Sequence, residues 1–460
     1  MTSQKEVVHF IAIGGIGMSA LARVLLSMGY QVSGSDVKPS YLVDKLQEQG
    51  ATIYMGHDAH NVPDNCGEII YSSAIAEDNP ELLRGKELGI PITHRGELLA
   101  RLFNSNKGLA VAGAHGKTTT SGMLGQILHK VDFHPNIVLG GILPVIGSNA
   151  IKDESDLWVV EADESDRSFL KLEPYLTIVT NIEPEHMEHY EDSPEVLKRA
   201  FSDFCNSSEE IIVCLDNQMV NDILPSFKHD YHTYGLEHKA VDLTARDIVA
   251  DALTTTSKVY FKGEFVGELY LSVPGRHNVA NALGAIYGAY LVGVPFKDSI
   301  AALADFSGTG RRFDVLLQDD EHHIMVVDDY AHHPTEVRAT IAAAKSCGYK
   351  RVLAVFQPHR YSRVKELYKE FGCSFGEADV TVIDEIYSAW EERIPDISSQ
   401  LIVDEIRAKG LEPVYCHSSE AILDYLKNQV RNDDLVLMMG AGDIYKTTEK
   451  FCKYLKGEEA

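Results

Sequence analysis

Positive charge is scarce in this sequence. Its 460 residues include 42 Lys and Arg against 68 Asp and Glu, which gives a formal net charge of −26 at pH 7. A surface of that sign repels nucleic acid and acidic membranes, so we expect neither as a partner. An anionic substrate would therefore need local clusters of positive groups.

Cysteine is also scarce, and long apolar runs are missing. The seven cysteines are odd in number and scattered, which is unlike the paired spacing of a disulfide framework and indicates free thiols in a reducing compartment. No run of about eighteen apolar residues is present to span a bilayer. No cationic start followed by an apolar core marks a signal peptide. We therefore expect a cytoplasmic protein.

The most informative stretch that is present runs from Val111 to Thr120. An apolar run at 108–112 precedes a glycine loop, and apolar residues at helical spacing follow it. In such a loop, backbone N–H groups and the helix N-terminus bind phosphates, lysine reaches the β/γ-phosphates, and the next hydroxyl can ligate Mg²⁺. Val111 stands where the longer form of the motif has a glycine. We predict an ATP site made of Gly113, Ala114, His115, Gly116, Lys117, Thr118 and Thr119.

A second glycine loop lies near the start of the chain. An apolar strand at 7–13 leads into Gly14-Gly-Ile-Gly-Met-Ser-Ala20, which opens a helix, and Asp36 closes the next strand. This order is that of a dinucleotide fingerprint, in which a pyrophosphate lies on the helix N-terminus and the acid binds a ribose. Taken alone, it also fits an NAD-dependent oxidoreductase or a nucleotide-binding regulatory protein, and that alternative stays open at this point.

Acidic side chains follow two apolar runs in the middle of the chain. The first run, 157–161, leads into Glu161-Ala-Asp-Glu-Ser-Asp166, and the second, 176–181, leads into Asn181-Ile-Glu-Pro-Glu-His186. Continuous apolar runs are typical of parallel strands buried on both faces, and ligands bind at the carboxyl ends of such strands. Beside a phosphate loop, this pattern predicts a metal–phosphate site.

Nitrogen-bearing side chains mark two further places. His277 and Asn281 are four residues apart and share a face of a predicted helix, where they can contact a purine or serve packing and capping. Arg311 and Arg312 lie in a glycine hinge at 308–314, where a guanidinium can reach a phosphate.

The last third of the chain repeats the strand–helix alternation. Polar or glycine turns follow its apolar strands at 328–334, 357–363, 384–385 and 440–443. Loops at the carboxyl ends of parallel strands carry ligands in α/β folds, so we expect a further part of the site there.

These motifs together resemble those of the Mur ligase family from end to end. The motifs that carry the resemblance are 14–19, 115–120, 161–166, 181–187, 277–281, 310–312, 329–334 and 357–363. The resemblance implies an α/β fold of three domains. A Rossmann-like domain at 1–105 would bind a UDP substrate, a central P-loop-type ATPase domain with a mixed or parallel sheet would span 106–309, and a Rossmann-like α/β domain at 310–460 would bind an amino acid and close.

The resemblance also implies an ADP-forming carboxylate–amine ligase of peptidoglycan precursor synthesis. ATP would phosphorylate the lactyl carboxylate of UDP-N-acetylmuramate to an acyl phosphate, which the amine of L-alanine would attack. Mg²⁺ would assist, and the enzyme would be a monomer or a weak homodimer. Two relatives stay open: a recycling ligase that attaches a whole peptide, and a folate- or cyanophycin-type ligase. The complete first glycine motif argues against the folate type.

The resemblance assigns roles residue by residue. The implied metal ligands are Thr118 and Glu161 for one Mg²⁺ and His186 for a second. The implied catalytic residues are Lys117, His186, Arg312, His332, Arg360 and Arg363. ATP would also contact His277, Asn281, Arg312 and Asp329. The UDP-sugar would contact Gly14, Gly15, Gly17, Met18, Ser19, Asp36, Ser72, Ser73, His94, Arg95, Asp163, Glu164 and Ser165. Which of His332, His359, Arg360 and Arg363 binds the amino-acid carboxylate stays open.

Overall fold

The computed structural model describes residues 7–251, 253–389 and 391–458. Contacts divide the chain into two compact units, and the second comprises 247–257, 270–279 and the chain from Gly310 onward. Three sheets form the cores, as the prediction of three α/β domains requires. None of the described helices combines the length and the apolar character needed to cross a bilayer.

The N-terminal sheet has five parallel strands in the order β3-β2-β1-β4-β5. This is the doubly wound order of a Rossmann-like half, as predicted. Its elements are β1 (Val7–Ile11), α1 (Ile16–Ser27), β2 (Gln31–Asp36), α2 (Tyr41–Glu48), β3 (Thr52–Met55), β4 (Cys66–Tyr71), α3 (Pro80–Leu88), β5 (Ile92–His94) and α4 (Arg95–Phe103). Every residue of β1 is buried, because helices cover both faces of the sheet.

The middle sheet has ten strands, in the order β15-β14-β13-β12-β11-β10-β6-β9-β7-β8. Its elements begin with β6 (Lys107–Ala112), α5 (Lys117–Lys130), β7 (Asn136–Leu143), β8 (Ser148–Ile151), β9 (Leu157–Glu161), β10 (Leu176–Val179), α6 (Pro194–Cys205) and β11 (Glu210–Cys214). They continue with α7 (Gln218–Ile223), β12 (His232–Gly235), β13 (Leu243–Asp251), β14 (Thr254–Phe261), β15 (Glu264–Leu271), α8 (Arg276–Leu291) and α9 (Phe296–Ala302). β6 lies between the parallel strands β9 and β10, so their carboxyl ends meet beside the phosphate loop.

The C-terminal sheet has six strands in the order β16-β17-β21-β18-β19-β20. Its elements are β16 (Asp314–Asp319), β17 (Ile324–Asp329), α10 (Pro334–Lys345), β18 (Arg351–Phe356), α11 (Tyr361–Gly372), β19 (Val380–Ile383), α12 (Gln400–Ala408), β20 (Val414–Tyr415), α13 (Ser419–Gln429), β21 (Asp434–Met439) and α14 (Ile444–Leu455). Only β16 runs antiparallel to its neighbour among these described strands.

Local boundaries differ from the sequence prediction in two places. The first strand ends at Ile11 rather than at residue 13, because Ala12 has a left-handed φ of 60° that starts the glycine turn. The strand that contains the apolar run at 108–112 begins one residue earlier than that run, at Lys107, whose N–H donates to the Asp156 carbonyl.

Candidate active site

The phosphate loop lies between β6 and α5, as the sequence predicts. Gly113 and Gly116 have φ values of 139° and 79°, which side chains rarely adopt. A Cβ on Gly113 would lie 2.1 Å from Thr180 Oγ1, and one on Gly116 would lie 2.5 Å from Asn281 Oδ1. The two glycines are therefore required by close packing, and Asn281 of α8 lies against the loop.

The two residues that directly follow β10, the neighbour of β6 in the sheet, hold the loop in place. His115 donates its backbone N–H to Asn181 Oδ1 at 2.8 Å, and its carbonyl accepts from Thr180 Oγ1 at 2.6 Å and from Asn181 Nδ2 at 2.9 Å. Three hydrogen bonds on one residue fix the turn before any ligand binds, which lowers the ordering cost of binding.

Lys117 is largely buried and paired. Its Nζ donates to the carbonyls of Gly113 at 2.5 Å and Ala114 at 3.0 Å, and it lies 2.9 Å from the Glu164 carboxylate. Burial lowers the pKa of Lys117, but the charges of Glu164, Glu161 and Asp163 outweigh it and raise that pKa. Burial in turn raises the pKa of Glu164 to about 7, against the opposing effect of Lys117. The lysine is thus held as a cation at the loop.

Two groups of side chains at this sheet edge have the chemistry of metal ligands. Thr118 Oγ1 donates to both Glu161 oxygens at 3.0 and 2.9 Å, so that hydroxyl and carboxylate face one point. Glu164, Glu185 and His186 each place a ligand atom within 4.8 Å of the others. Carboxylate and hydroxyl oxygens suit Mg²⁺, so the residues present fit that ion.

The resemblance implies two ions, one on Thr118 and Glu161 and a second that His186 helps to hold. In the structure, Glu164 and Glu185 lie beside His186 and could complete the second set. Glu185 is buried and was not singled out from the sequence. Its position in the polar stretch after β10 is the signal that could have found it.

The first glycine loop carries its predicted acid. Gly14 donates its N–H to Asp36 Oδ2 at 2.8 Å, and α1 begins two residues later. Met18 and Ser19 are buried, whereas Gly15 and Gly17 leave the N-terminal turn of α1 open to a ligand.

A residue of the middle sheet forms hydrogen bonds with the N-terminal turn of α1. Asn149 of β8 is fully buried and donates to the Ile16 carbonyl at 2.7 Å and to Ser19 Oγ at 3.0 Å. No local motif marks Asn149 in the sequence, because its partners lie more than a hundred residues away.

Residues of the N-terminal and middle sheets meet at the end of β5. Arg95 Nη2 donates to Asp163 Oδ2 at 2.5 Å and to Asp166 Oδ2 at 3.1 Å. Ser73 Oγ donates to Asp166 Oδ2 at 2.8 Å and lies 3.0 Å from His94 Nε2. Burial by itself would raise the pKa of Asp163, but the positive charge of Arg95 holds that pKa well below its usual range.

The remaining members of this predicted group lie beside that cluster in the chain. The Ser165 N–H donates to Asp163 Oδ1 at 3.0 Å, and Ser72 follows the end of β4. Burial lowers the pKa of His94, which keeps the imidazole neutral near pH 7.

In the second unit, Asp329 is a buried acceptor. It accepts the backbone N–H groups of Phe313 and Ala331, each at 2.7 Å. Burial raises the pKa of Asp329 to about 6. Arg312 lies over the Tyr330 ring at 5.1 Å and donates to Glu336 Oε1 at 3.4 Å. Asp329, the last residue of β17, therefore joins Phe313 of the hinge to the turn that follows β17.

Histidine and arginine side chains gather at the carboxyl ends of β17 and β18. The rings of His332 and His359 lie 6.1 Å apart edge to face, and His359 stacks on Tyr387 at 5.7 Å. Arg363 Nη1 lies 3.3 Å from His359 Nδ1. The sequence-predicted residues of this segment are thus neighbours.

Arg360 is oriented by an acid that sequence reasoning missed. Its Nε donates to Glu391 Oε1 at 2.7 Å, and the same oxygen accepts from Ser362 Oγ at 2.6 Å. Arg360 has a left-handed φ of 72°, a strained conformation that is typical of ligand sites.

His277, at the first turn of α8, is exposed.

Family models match the chain in three consecutive segments. These are the Mur ligase family catalytic domain at residues 7–107, the Mur ligase middle domain at 111–289, and the Mur ligase glutamate ligase domain at 311–442.

Individual proteins match it over nearly its whole length. UDP-N-acetylmuramate–L-alanine ligase of Carboxydothermus hydrogenoformans is 44% identical, covering 95% of this chain and 94% of its own. The enzyme of that name from Geotalea uraniireducens is 43% identical over all of both chains. Among solved structures, UDP-N-acetylmuramate-alanine ligase of Thermotoga maritima superposes with a TM-score of 0.85 at 29% identity, covering 98% of this chain and 99% of its own.

Proposed function

This chain belongs to the Mur ligase family, and from that premise we propose that it joins L-alanine to the lactyl carboxylate of UDP-N-acetylmuramate, with ATP converted to ADP and phosphate. The observation that carries the proposal is the full-length identity of 43–44% with enzymes named for that reaction. The role would be in peptidoglycan precursor synthesis, and so in cell shape and division, by a cytoplasmic monomer or weak homodimer.

ATP would bind with its phosphates on the loop at Gly113–Thr119. Phosphoryl transfer depends mainly on positioning and charge neutralisation, so a largely buried cation on a prearranged glycine loop suits it. Lys117 is held as that cation by Glu164, and Arg312 would add a second positive charge at the γ-phosphate. His277, Asn281 and Asp329 would contact the nucleoside.

Mg²⁺ is part of the proposal. Thr118 and Glu161 would hold one ion, and His186, together with Glu164 and Glu185, would hold another. A bound Mg²⁺ would supply positive charge that neutralises the phosphate oxygens. The chain's own contribution is to keep these oxygen and imidazole ligands at one sheet edge beside Lys117.

The sugar nucleotide would lie on the first glycine loop. The N-terminal turn of α1 would bind its pyrophosphate, and Asp36 would be close to the uridine. Ser72, Ser73, His94 and Arg95 would lie along the sugar, with 163–165 beside them. This assignment replaces NAD by a uridine nucleotide at the dinucleotide-like fingerprint.

The acyl phosphate would meet the amine at the histidine–arginine cluster. His332, His359, Arg360 and Arg363 supply positive or hydrogen-bonding groups for the acyl phosphate and for the amino-acid carboxylate. Glu391 would act through Arg360 as a positioning residue, because its carboxylate accepts from Arg360 Nε at 2.7 Å and so fixes the orientation of the guanidinium.

The test is phosphate release with ATP, Mg²⁺ and UDP-N-acetylmuramate. L-alanine is compared with no amino acid and with the intact tripeptide. We expect release that needs L-alanine and falls by about a hundredfold to a thousandfold in Lys117→Ala, since loss of one stabilising donor costs about 3–4 kcal/mol. Lys130→Ala, at the exposed far end of the same helix, is the matched control and should be unaffected.

Two results would contradict the proposal. Release only with the tripeptide would indicate the recycling ligase. No release with either acceptor, combined with NAD binding, would favour an oxidoreductase.

A further inference from the structure

A cavity of about 460 Å³ lies in the first unit, away from the site described above. Its walls come from α1, α2 and the hairpin formed by β7 and β8. Arg23 and Ser27 line it from α1. At a rise of about 1.5 Å per residue, they lie about 10 and 16 Å along the helix from Ile16, where the first glycine loop ends. The cavity is therefore separate from the proposed pyrophosphate position.

The charge of the cavity is opposite to that of the protein. Arg23, Lys45 and Lys152 line it, and none of the described residues around it is Asp or Glu. This contrasts with a formal net charge of −26 for the chain. Three cations around one space, without a carboxylate in its wall, make a local field that favours an anion.

Arg23 carries the strongest signal. Its side chain is partly buried, and its Nε is buried without a hydrogen-bond partner among the described residues. Burial lowers the pKa of Arg23, and the Tyr41 hydroxyl opposes that effect only in part. A desolvated guanidinium without a paired acid is costly, and an oxyanion is the group that best satisfies its fork of donors.

The two lysines can add to such a contact. Lys45 Nζ lies 2.7 Å from Glu48, which is itself exposed, and Lys152 Nζ donates to the Asp153 carbonyl at 2.6 Å. Both contacts are at least partly exposed and therefore weak, so each flexible lysine can leave its present partner to bind a doubly charged anion.

The rest of the wall combines apolar and polar side chains. Tyr41 is 56% exposed at the cavity, and Ile142, Ile146 and Ile151 contribute aliphatic surface, whereas Ser27, Gln49 and Ser148 contribute hydroxyl and amide groups. A volume of this size accommodates a small organic molecule that has both a polar and an apolar part.

We propose that this cavity is a second ligand site that binds an aryl or nucleoside-type phosphate, with the oxyanion on Arg23 and the flat apolar group against Tyr41 and the isoleucines. The site lies between the helix that starts at the first glycine loop and the hairpin whose Asn149 fastens that helix. It is distinct from the places of the three substrates.

The test uses 1-naphthyl phosphate as the probe. Its binding to the full chain is measured by its own fluorescence, in the presence of saturating UDP-N-acetylmuramate and a non-hydrolysable ATP analogue, so that the substrate sites are filled. We expect saturable binding by the wild type and at least a tenfold loss of affinity in Arg23→Gln. Lys152→Gln, on a different element, should weaken binding severalfold, and Arg23→Lys should restore part of the affinity.

The controls separate this site from general attraction of anions. Arg84→Gln removes a surface arginine that pairs with Glu87 on α3 and should bind as the wild type does. Equal melting temperatures of all variants exclude misfolding. No saturable binding by the wild type, or equal binding by Arg23→Gln, would overturn the proposal. Equal affinity for inorganic phosphate would overturn the assignment of the apolar part.

Discussion

At the scale of the residue, Asp384 shows how burial sets the behaviour of a carboxylate. Asp384 follows β19 and shares the Gln357 amide with Asp443, at 3.0 and 3.1 Å. Burial raises the pKa of Asp384 to about 6 from 3.8. The nearby charge of Asp443 acts in the same direction, whereas the Gln357 amide and the Glu385 N–H oppose it.

We predict that this residue makes the stability of the second unit depend on pH. The pKa of Asp384 is higher in the folded protein than in the unfolded chain. Its contribution to the free energy of unfolding is therefore complete below pH 3.8 and is lost as the pH rises through 6. The loss corresponds to about 3 kcal/mol. Asp384→Asn, which stays neutral, should therefore gain stability relative to the wild type between pH 4 and pH 7.

The measurement is the thermal midpoint by calorimetry across that range. A constant offset from the altered Gln357 bond is expected, so the change with pH is the quantity that decides. Asp404→Asn, on the exposed face of α12, is the control. Parallel curves for wild type and Asp384→Asn would contradict the prediction.

At the scale of the element, one side chain joins the β7–β8 hairpin to α1. Removing Asn149 deletes its hydrogen bonds to the Ile16 carbonyl and to Ser19 Oγ, and only the bond from Ser19 Oγ to that carbonyl stays among the described side-chain contacts of this turn. We expect a total cost of about 1–3 kcal/mol. We predict that Asn149→Ala raises the KM for UDP-N-acetylmuramate about tenfold, since about 1.4 kcal/mol corresponds to that factor. The KM for ATP should change little, because the phosphate loop has its own supports.

Steady-state kinetics with each substrate varied in turn provide the check. Asn428→Ala removes an amide on α13 that donates only to a carbonyl of its own helix and serves as the control. An equal rise in both KM values would show a general loss of structure instead.

The phosphate loop requires glycine at position 113. Gly113→Ala combines an unfavourable φ with a Cβ 2.1 Å from Thr180 Oγ1 and 2.9 Å from the Asn181 carbonyl. We predict a loss of about 2–4 kcal/mol in stability and a loss of ATP binding. Gly376→Ala, whose Cβ would meet open space, should be nearly neutral. Urea unfolding and binding of a fluorescent ATP analogue measure the two effects, and wild-type affinity in Gly113→Ala would contradict the role given to the loop.

At the scale of the whole molecule, the proposed reaction draws groups from segments far apart in the chain. Each of the three sheets contributes a cation that follows one of its strands: Arg95 after β5, Lys117 after β6 and Arg360 after β18. In the proposed reaction, all three would act on the substrates or on the acyl phosphate formed from them. Closing movements assemble such sites in many ligand-binding enzymes. We predict that the radius of gyration falls when an ATP analogue and UDP-N-acetylmuramate are both added.

Small-angle scattering of the unliganded, singly liganded and doubly liganded protein measures this. Asp36→Ala, which should weaken binding of the sugar nucleotide, should lose the change at moderate ligand concentration. An unchanged radius of gyration at saturation would contradict closure.

Most of the fold could be predicted from the sequence, because its signals are local. Apolar runs such as 108–112 and 435–439 are buried strands, and glycine loops start α1 and α5. The antiparallel edge strand β16 could not be predicted in this way, because its alternating, half-buried pattern follows directly on a glycine hinge.

The candidate site was predicted in part. The residues around Lys117, Thr118 and Glu161 lie together in the structure, since the carboxyl ends of neighbouring parallel strands must meet. Glu185, Asn149 and Glu391 were missed, because their importance depends on what they touch rather than on their neighbours in sequence.

The sequence by itself therefore determined the buried parallel strands, the two glycine loops and the family, because each depends on the short-range spacing of glycine, apolar and charged residues. Only the tertiary structure decided which carboxylates pair with Lys117 and Arg95, that Asn149 fastens α1, and that three cations surround a cavity without an acid. These features depend on residues distant in the chain, and their energies come from burial and hydrogen-bond geometry, which exist only once the chain is folded.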